Sequence, residues 1–168
     1  MTSHIFQIAV CDDDLNDLKE TEQSTREICF EENICACFVS YENSLALLND
    51  LKDGKKFDLL LLDVLMPDLN SMELARCLRE SKQNTSIIFI SVNLEMALQG
   101  YQVSASRYLV KPLKKDELRE TILFCHKQTA SLFSLYFHFI FTLFLFVLPP
   151  GILHPQAEDP IHSAPYSA

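Results

Sequence analysis

Apolar and polar positions along this chain switch between two periods. Residues 5–11 (IFQIAVC) form an apolar run suited to a buried strand, followed directly by Asp12, Asp13 and Asp14. LNDLKETEQSTREICFEEN then carries apolar or small groups at helical spacing around Leu15, Leu18, Thr25 and Ile28, with charges between, which predicts an amphipathic helix. ACFVSY predicts a second strand. NSLALLNDLKDG predicts a helix with Asn43 or Ser44 as its cap and Gly54 as its stop. FDLLLLD is nearly all apolar, which predicts a strand buried on both faces, as in a parallel sheet. SMELARCLRESK predicts a helix, SIIFIS a fourth strand, LEMALQGY a short helix and SRYLV a fifth strand. A last helix starts near Lys114.

Strand and helix alternate five times. That rhythm predicts an α/β fold, a five-stranded parallel sheet with right-handed crossovers. Strands 1, 3, 4 and 5 each end in polar residues: Asp12 to Asp14, then Asp63, Ser91 and Lys111. Open α/β sheets bind ligands outside the carboxyl ends of their strands. Residues distant in sequence are therefore expected to converge on one site.

The residue types at those ends point to phosphoryl chemistry. Mg²⁺ prefers oxygen ligands and retained waters, so Asp13 and Asp63 are candidate direct ligands, with Asp12 acting through water. Crowded carboxylates repel one another and need a cation to stay ionised. Asp63, emerging from the core between LLLL and VLMP, can attack phosphorus to form an acyl phosphate. Lys111 and the metal would balance charge on the phosphoryl oxygens, and Ser91 can donate a hydrogen bond to one. Plainer readings stand beside these. An Asp after a strand also forms turns and helix caps, and Asp14 suits a cap as well as a site. Ser91 alone is an ordinary strand-end serine, Lys-Pro is common in loops, and Tyr108 is a partly buried aromatic. The matching strand ends set Asp12, Asp13, Asp63 and Lys111 apart.

Composition narrows the function classes. The net charge is −9 and no stretch resembles a basic arm, which argues against nonspecific nucleic-acid binding by this chain. A length of 168 residues, 48% of them hydrophobic, suits one domain with a full core. The six cysteines show no CxxC pair and read as reduced cytosolic thiols that fill core or edge positions. The N-terminus, MTSHIFQIAV, has neither a charged n-region nor a long h-region and does not read as a signal peptide.

Residues 5–125 resemble the receiver domain of two-component response regulators, through Asp12-Asp13, the DVLMP run at Asp63, the Ser91 hydroxyl and the YLVKP run. The resemblance implies a (βα)5 flavodoxin-like receiver fold and a signalling module rather than an enzyme. It implies Asp63 as phosphoacceptor, with Mg²⁺ held by Asp12, Asp13, Asp63 and the Leu65 carbonyl. It implies Ser91 and Tyr108 as the switch pair, Lys111 on the phosphoryl group and a cis Lys111–Pro112 bond. A sensor histidine kinase is the implied partner, and a homodimer could form through the fourth predicted helix, the fifth strand and the last helix. CDDDLNDL and ALQGYQVSASRYLVKPL resemble most the receivers of LytTR-type transcriptional regulators. Two positions depart from the pattern. Ser71 stands where MPxxxG has glycine; a non-glycine residue at positive φ costs about 1–2 kcal/mol, so a reshaped loop is expected, with Asn70 in the unusual conformation. Val92 follows the switch hydroxyl where a small residue is usual, and a valine there restricts access to the phosphoryl group. Two rival functions are a phosphohydrolase of haloacid-dehalogenase type, for which Asp12 and Asp14 have the DxD spacing, and a phosphate sink acting through protein contacts.

After Gln128 the composition changes. The expected organisation is a receiver over 1–128, an apolar segment over 129–148 and a disordered tail over 149–168. Residues 131–148 are 18 residues without a formal charge and hold six of the twelve Phe. All fourteen Lys and Arg precede residue 129, so a basic DNA-binding output domain is not expected in this chain. Three readings of the segment compete. It is a transmembrane helix, with the receiver cytoplasmic by the positive-inside rule; an out-of-frame remnant; or an extension of the last helix that packs on a partner.

Overall fold

Two-sided burial of the central strands organises the molecule. A computed structural model of the chain describes residues 4–66, 71–80, 84–92 and 105–147, without the side chains of Met72, 132–134 and 136–147. The elements are β1 (Phe6–Cys11), α1 (Leu15–Glu31), β2 (Ala36–Tyr41), α2 (Ser44–Lys52), β3 (Leu59–Asp63), α3 (Ser71–Glu80), β4 (Ser86–Ser91), β5 (Arg107–Val110) and α4 (Lys115–Val147). All strand pairs are parallel, in the order β2-β1-β3-β4-β5. This is the expected five-stranded flavodoxin-like arrangement.

Every residue of β3 and β4 is buried, because helices cover both faces of the sheet. Strand alternation sorts the core in two. Ala9, Cys11, Leu60, Leu62, Ile87 and Phe89 pack with Leu47 and Leu51 of α2 and with Leu74 and Leu78 of α3. Ile8, Val10, Leu59, Leu61, Ile88 and Ile90 pack with Leu18 and Ile28 of α1 and with Leu118 and Ile122 of α4. The apolar run of β3 thus supplies both cores at once.

The helix ends follow local chemistry. Asn43 caps α2 by accepting from the Ala46 N–H at 2.8 Å. Gly54, at φ 93°, closes the helix with paired bonds, Gly54 N–H to Leu51 C=O and Lys55 N–H to Asp50 C=O. α1 ends by the same device two residues earlier than predicted. Asn33 adopts φ 55°, and the Ile34 N–H reaches back to the Cys29 carbonyl at 2.8 Å. Among the described residues Asn33 is the non-glycine residue with positive φ, and Ser71 opens α3. Asn70 and the helix predicted over 94–101, with the dimer face it would form, lie outside the described residues.

The chain divides into two units, Met1–Ser131 and Leu132–Ala168. The first contains the sheet and its helices. α4 begins at Lys115, as expected, and is helical to Val147. Among the residues whose side chains are described, no helix is long and apolar enough to cross a membrane. The span expected over 131–148 falls largely outside them, as does the tail over 149–168, and the membrane reading gains no support. All six cysteines are free; Cys11, Cys29 and Cys125 are buried.

Candidate functional site

Register places two acidic positions side by side. Cys11 of β1 pairs with Leu62 of β3, so Asp12 and Asp63 come next on adjacent strands. Asp12 is 4% and Asp63 7% exposed, while Asp13 reaches solvent. Carboxylate oxygens of Asp12, Asp13 and Asp63 all lie within 4.8 Å of one another. Lys111, just past the end of β5, extends into this cluster. Its Nζ lies 2.8 Å from Asp12 Oδ2, 3.1 Å from Asp63 Oδ1 and 2.5 Å from Asp17 Oδ2. The Lys111–Pro112 bond is cis. The second oxygen of Asp63 accepts the Leu65 N–H at 2.7 Å, a tight turn that leaves the Leu65 side chain exposed.

Electrostatics make this an acceptor for a cation. Three carboxylates and one ammonium leave two net negative charges, and counting Asp17 leaves three. An all-oxygen donor set of that charge fits a hard divalent cation. Burial raises the Asp12 carboxyl above the ordinary range, and the Lys111 hydrogen bond opposes this only in part. Burial also works against the Lys111 ammonium. Its hydrogen bonds to Asp12, Asp17 and Asp63 outweigh that cost, so Lys111 ionises well above an ordinary lysine. Beneath the site, burial first and the charges of Asp12, Asp63 and Asp13 next push the Cys11 thiol up to about 12, so it stays protonated and is not a nucleophile. Its Sγ contacts Met66 Sδ at 3.5 Å.

Ser91 ends β4 fully buried, one residue beyond Ile90, the strand partner of Asp63. The Lys111 N–H donates to its carbonyl at 2.9 Å. Tyr108 is half-buried on β5 and packs against the α2–α3 core. Val92 is 69% exposed and, with Lys111, Pro112 and Asp17, lines a groove of about 290 Å³ next to the site. Asp14 takes its plainer role. Its carboxylate caps α1, accepting from Asn16 N–H at 2.8 Å and Asp17 N–H at 3.2 Å. The DxD pair needed by the phosphohydrolase reading is therefore split, with Asp12 in the cluster and Asp14 on the helix. Asp17 is the residue that sequence reasoning missed. One signal was present: Asp17 lies four residues after Asp13 in the first turn of a predicted helix, where acids are favoured.

Residues 8–123 match the response regulator receiver domain family. The chain belongs to this family. The positive alginate biosynthesis regulatory protein of Pseudomonas aeruginosa is 38% identical over 81 residues, covering 48% of this chain and 31% of that protein. The cell cycle response regulator CtrA of Brucella ovis is 39% identical over 71 residues, covering 41% of this chain and 31% of that protein. The chain thus spans about a third of the length of these relatives. The BeF3-activated receiver domain of DrrB superposes with a TM-score of 0.63 at 25% identity, covering 74% of this chain and 99% of that domain. The acidic cluster of this chain lies at the carboxyl end of the sheet, and the family match spans all of β3, β4 and β5.

Proposed function

We infer that this receiver takes a phosphoryl group on Asp63 from a sensor histidine kinase, in a Mg²⁺-dependent step, and relays the change to protein partners through Ser91 and Tyr108. One observation carries the reading: Lys111 bridges Asp12 and Asp63 inside a cluster of three carboxylates. In the transfer, an Asp63 carboxylate oxygen attacks phosphorus while the donor's N–P bond breaks. The electron pair returns to the imidazole nitrogen and an acyl phosphate forms. Asp12, Asp13, Asp63 and the Leu65 carbonyl would hold Mg²⁺, which would supply positive charge against the phosphoryl oxygens. Lys111 exchanges a carboxylate partner for a phosphoryl oxygen, which keeps its ammonium paired throughout. Ser91, at the end of the neighbouring strand, supplies a hydroxyl donor to the same group. Tyr108 shares the α2–α3 side of the sheet and would follow that hydroxyl as the population shifts between two conformations.

The test is phosphorylation of the whole chain by acetyl phosphate, with and without Mg²⁺. The wild type is expected to acquire acid- and base-labile phosphate only with Mg²⁺, and Asp63→Asn to acquire none. Labelling of Asp63→Asn at the wild-type rate would overturn the assignment.

A further inference from the structure

We propose that Ser71 is a positioning residue for the cation and phosphoryl site, acting through the backbone of Asp63. The inference rests on the Mg²⁺ reading above. Ser71 opens α3 and is fully buried, and its hydroxyl donates to the backbone carbonyl of Asp63. That contact ties the start of α3 to the end of β3. Pairing with β1 stops at Leu62, one residue before Asp63. On the other side the last rung is the Val64 N–H to the Ile90 carbonyl at 3.2 Å. Beyond it the chain leaves the sheet.

Three contacts then converge on Asp63. The Leu65 N–H holds Oδ2 and Lys111 holds Oδ1, and both act on the carboxylate. The Ser71 hydroxyl acts instead on the peptide unit from which the turn to Leu65 departs. That turn carries the carbonyl assigned to the metal. Mg²⁺ tolerates little departure from octahedral geometry, so a ligand set built partly from backbone depends on where that backbone runs. Groups outside the ligand shell typically change metal affinity by about 10–100-fold when removed. Glycine, the residue the receiver pattern has here, offers no hydroxyl for this bond, so the tie belongs to this chain's own sequence.

The test compares the whole wild-type chain with Ser71→Ala and Ser71→Gly by Mg²⁺ titration calorimetry. Amide hydrogen exchange at Leu65 without metal and melting temperature are measured in parallel. Both variants are expected to bind Mg²⁺ about tenfold more weakly. The Leu65 amide is expected to exchange faster without metal, and the Mg²⁺ needed for half-maximal phosphorylation to rise in step. The rate at saturating Mg²⁺ is expected to stay within about twofold, as for loss of a ground-state metal contact. Ser71→Gly keeps the readout if Ser71→Ala packs badly. A lower melting temperature with unchanged Mg²⁺ affinity and unchanged Leu65 exchange would overturn the inference and leave Ser71 merely structural. Wild-type chain that binds no Mg²⁺ would overturn the metal reading itself, a distinct result.

Discussion

At the scale of single residues, placement decides which groups keep their ordinary chemistry. Asp12 and Asp14 stand two positions apart. Asp12 is buried against Lys111, whereas Asp14 is exposed and its carboxyl is held low by the Asp17 and Asn16 amides. Composition could not separate them. Tyr41 shows the same dependence away from the site. Burial first, and then its hydrogen bond to Asp50, raise its phenol to about 12. An unfolded tyrosine ionises near about 10. The folded state therefore holds the phenol proton more tightly. The stability this contributes is fully present below about pH 10 and is lost as pH rises toward about 12. Titration at 295 nm should show an increment near about pH 12 that Tyr41→Phe removes. A Tyr41→Phe curve that matches the wild type above about pH 11 would count against this placement.

Elements are held by caps at their ends and by packing along one side, and the two differ in strength. Asn43 caps α2 through a single exposed hydrogen bond, so Asn43→Ala should cost about 1 kcal/mol. Leu47, one turn further, is fully buried among Leu51, Leu60 and Leu74, so Leu47→Ala should cost about 2–5 kcal/mol. Urea unfolding of both variants checks the order, and a cap cost larger than the core cost would contradict it. Much at this scale was legible in sequence. The observed bounds of β2 and β4 are those read from ACFVSY and SIIFIS, since both runs are rich in β-branched, aromatic and other apolar residues of strand type. The end of α1 was not legible, because the charged pattern continues into Asn33 and only the backbone shows that residue turning left-handed. The early ionic contacts of α4, Lys115 with Glu27 and Glu31 and Arg119 with Glu31 and Glu32, join it to the end of α1. Nothing in either segment alone announces that pairing.

At the scale of the whole molecule, the unit Met1–Ser131 is built on a sheet whose carboxyl edge concentrates negative charge. Folding brings Asp12, Asp17 and Asp63 around one ammonium with Asp13 beside them, so a cation that binds only the folded state should stabilise it by mass action. At about 100 times its Kd, Mg²⁺ should add about 2.7 kcal/mol. The melting temperature should rise with Mg²⁺ and stay flat for Asp13→Asn; an equal rise in both would place the ion elsewhere. Taken alone, the sequence determined the alternation of strands and helices, the two-sided burial of FDLLLLD and the polar residues at the ends of strands 1, 3, 4 and 5. These follow from residue type and from periods of 2 and 3.6, which are local properties. Tertiary structure decided the strand order, the contact of Lys111 with Asp12 across 99 positions, the entry of Asp17 and the hold of Ser71 on Asp63. Those contacts depend on where backbones lie to within about an ångström, a distance that periodicity does not encode.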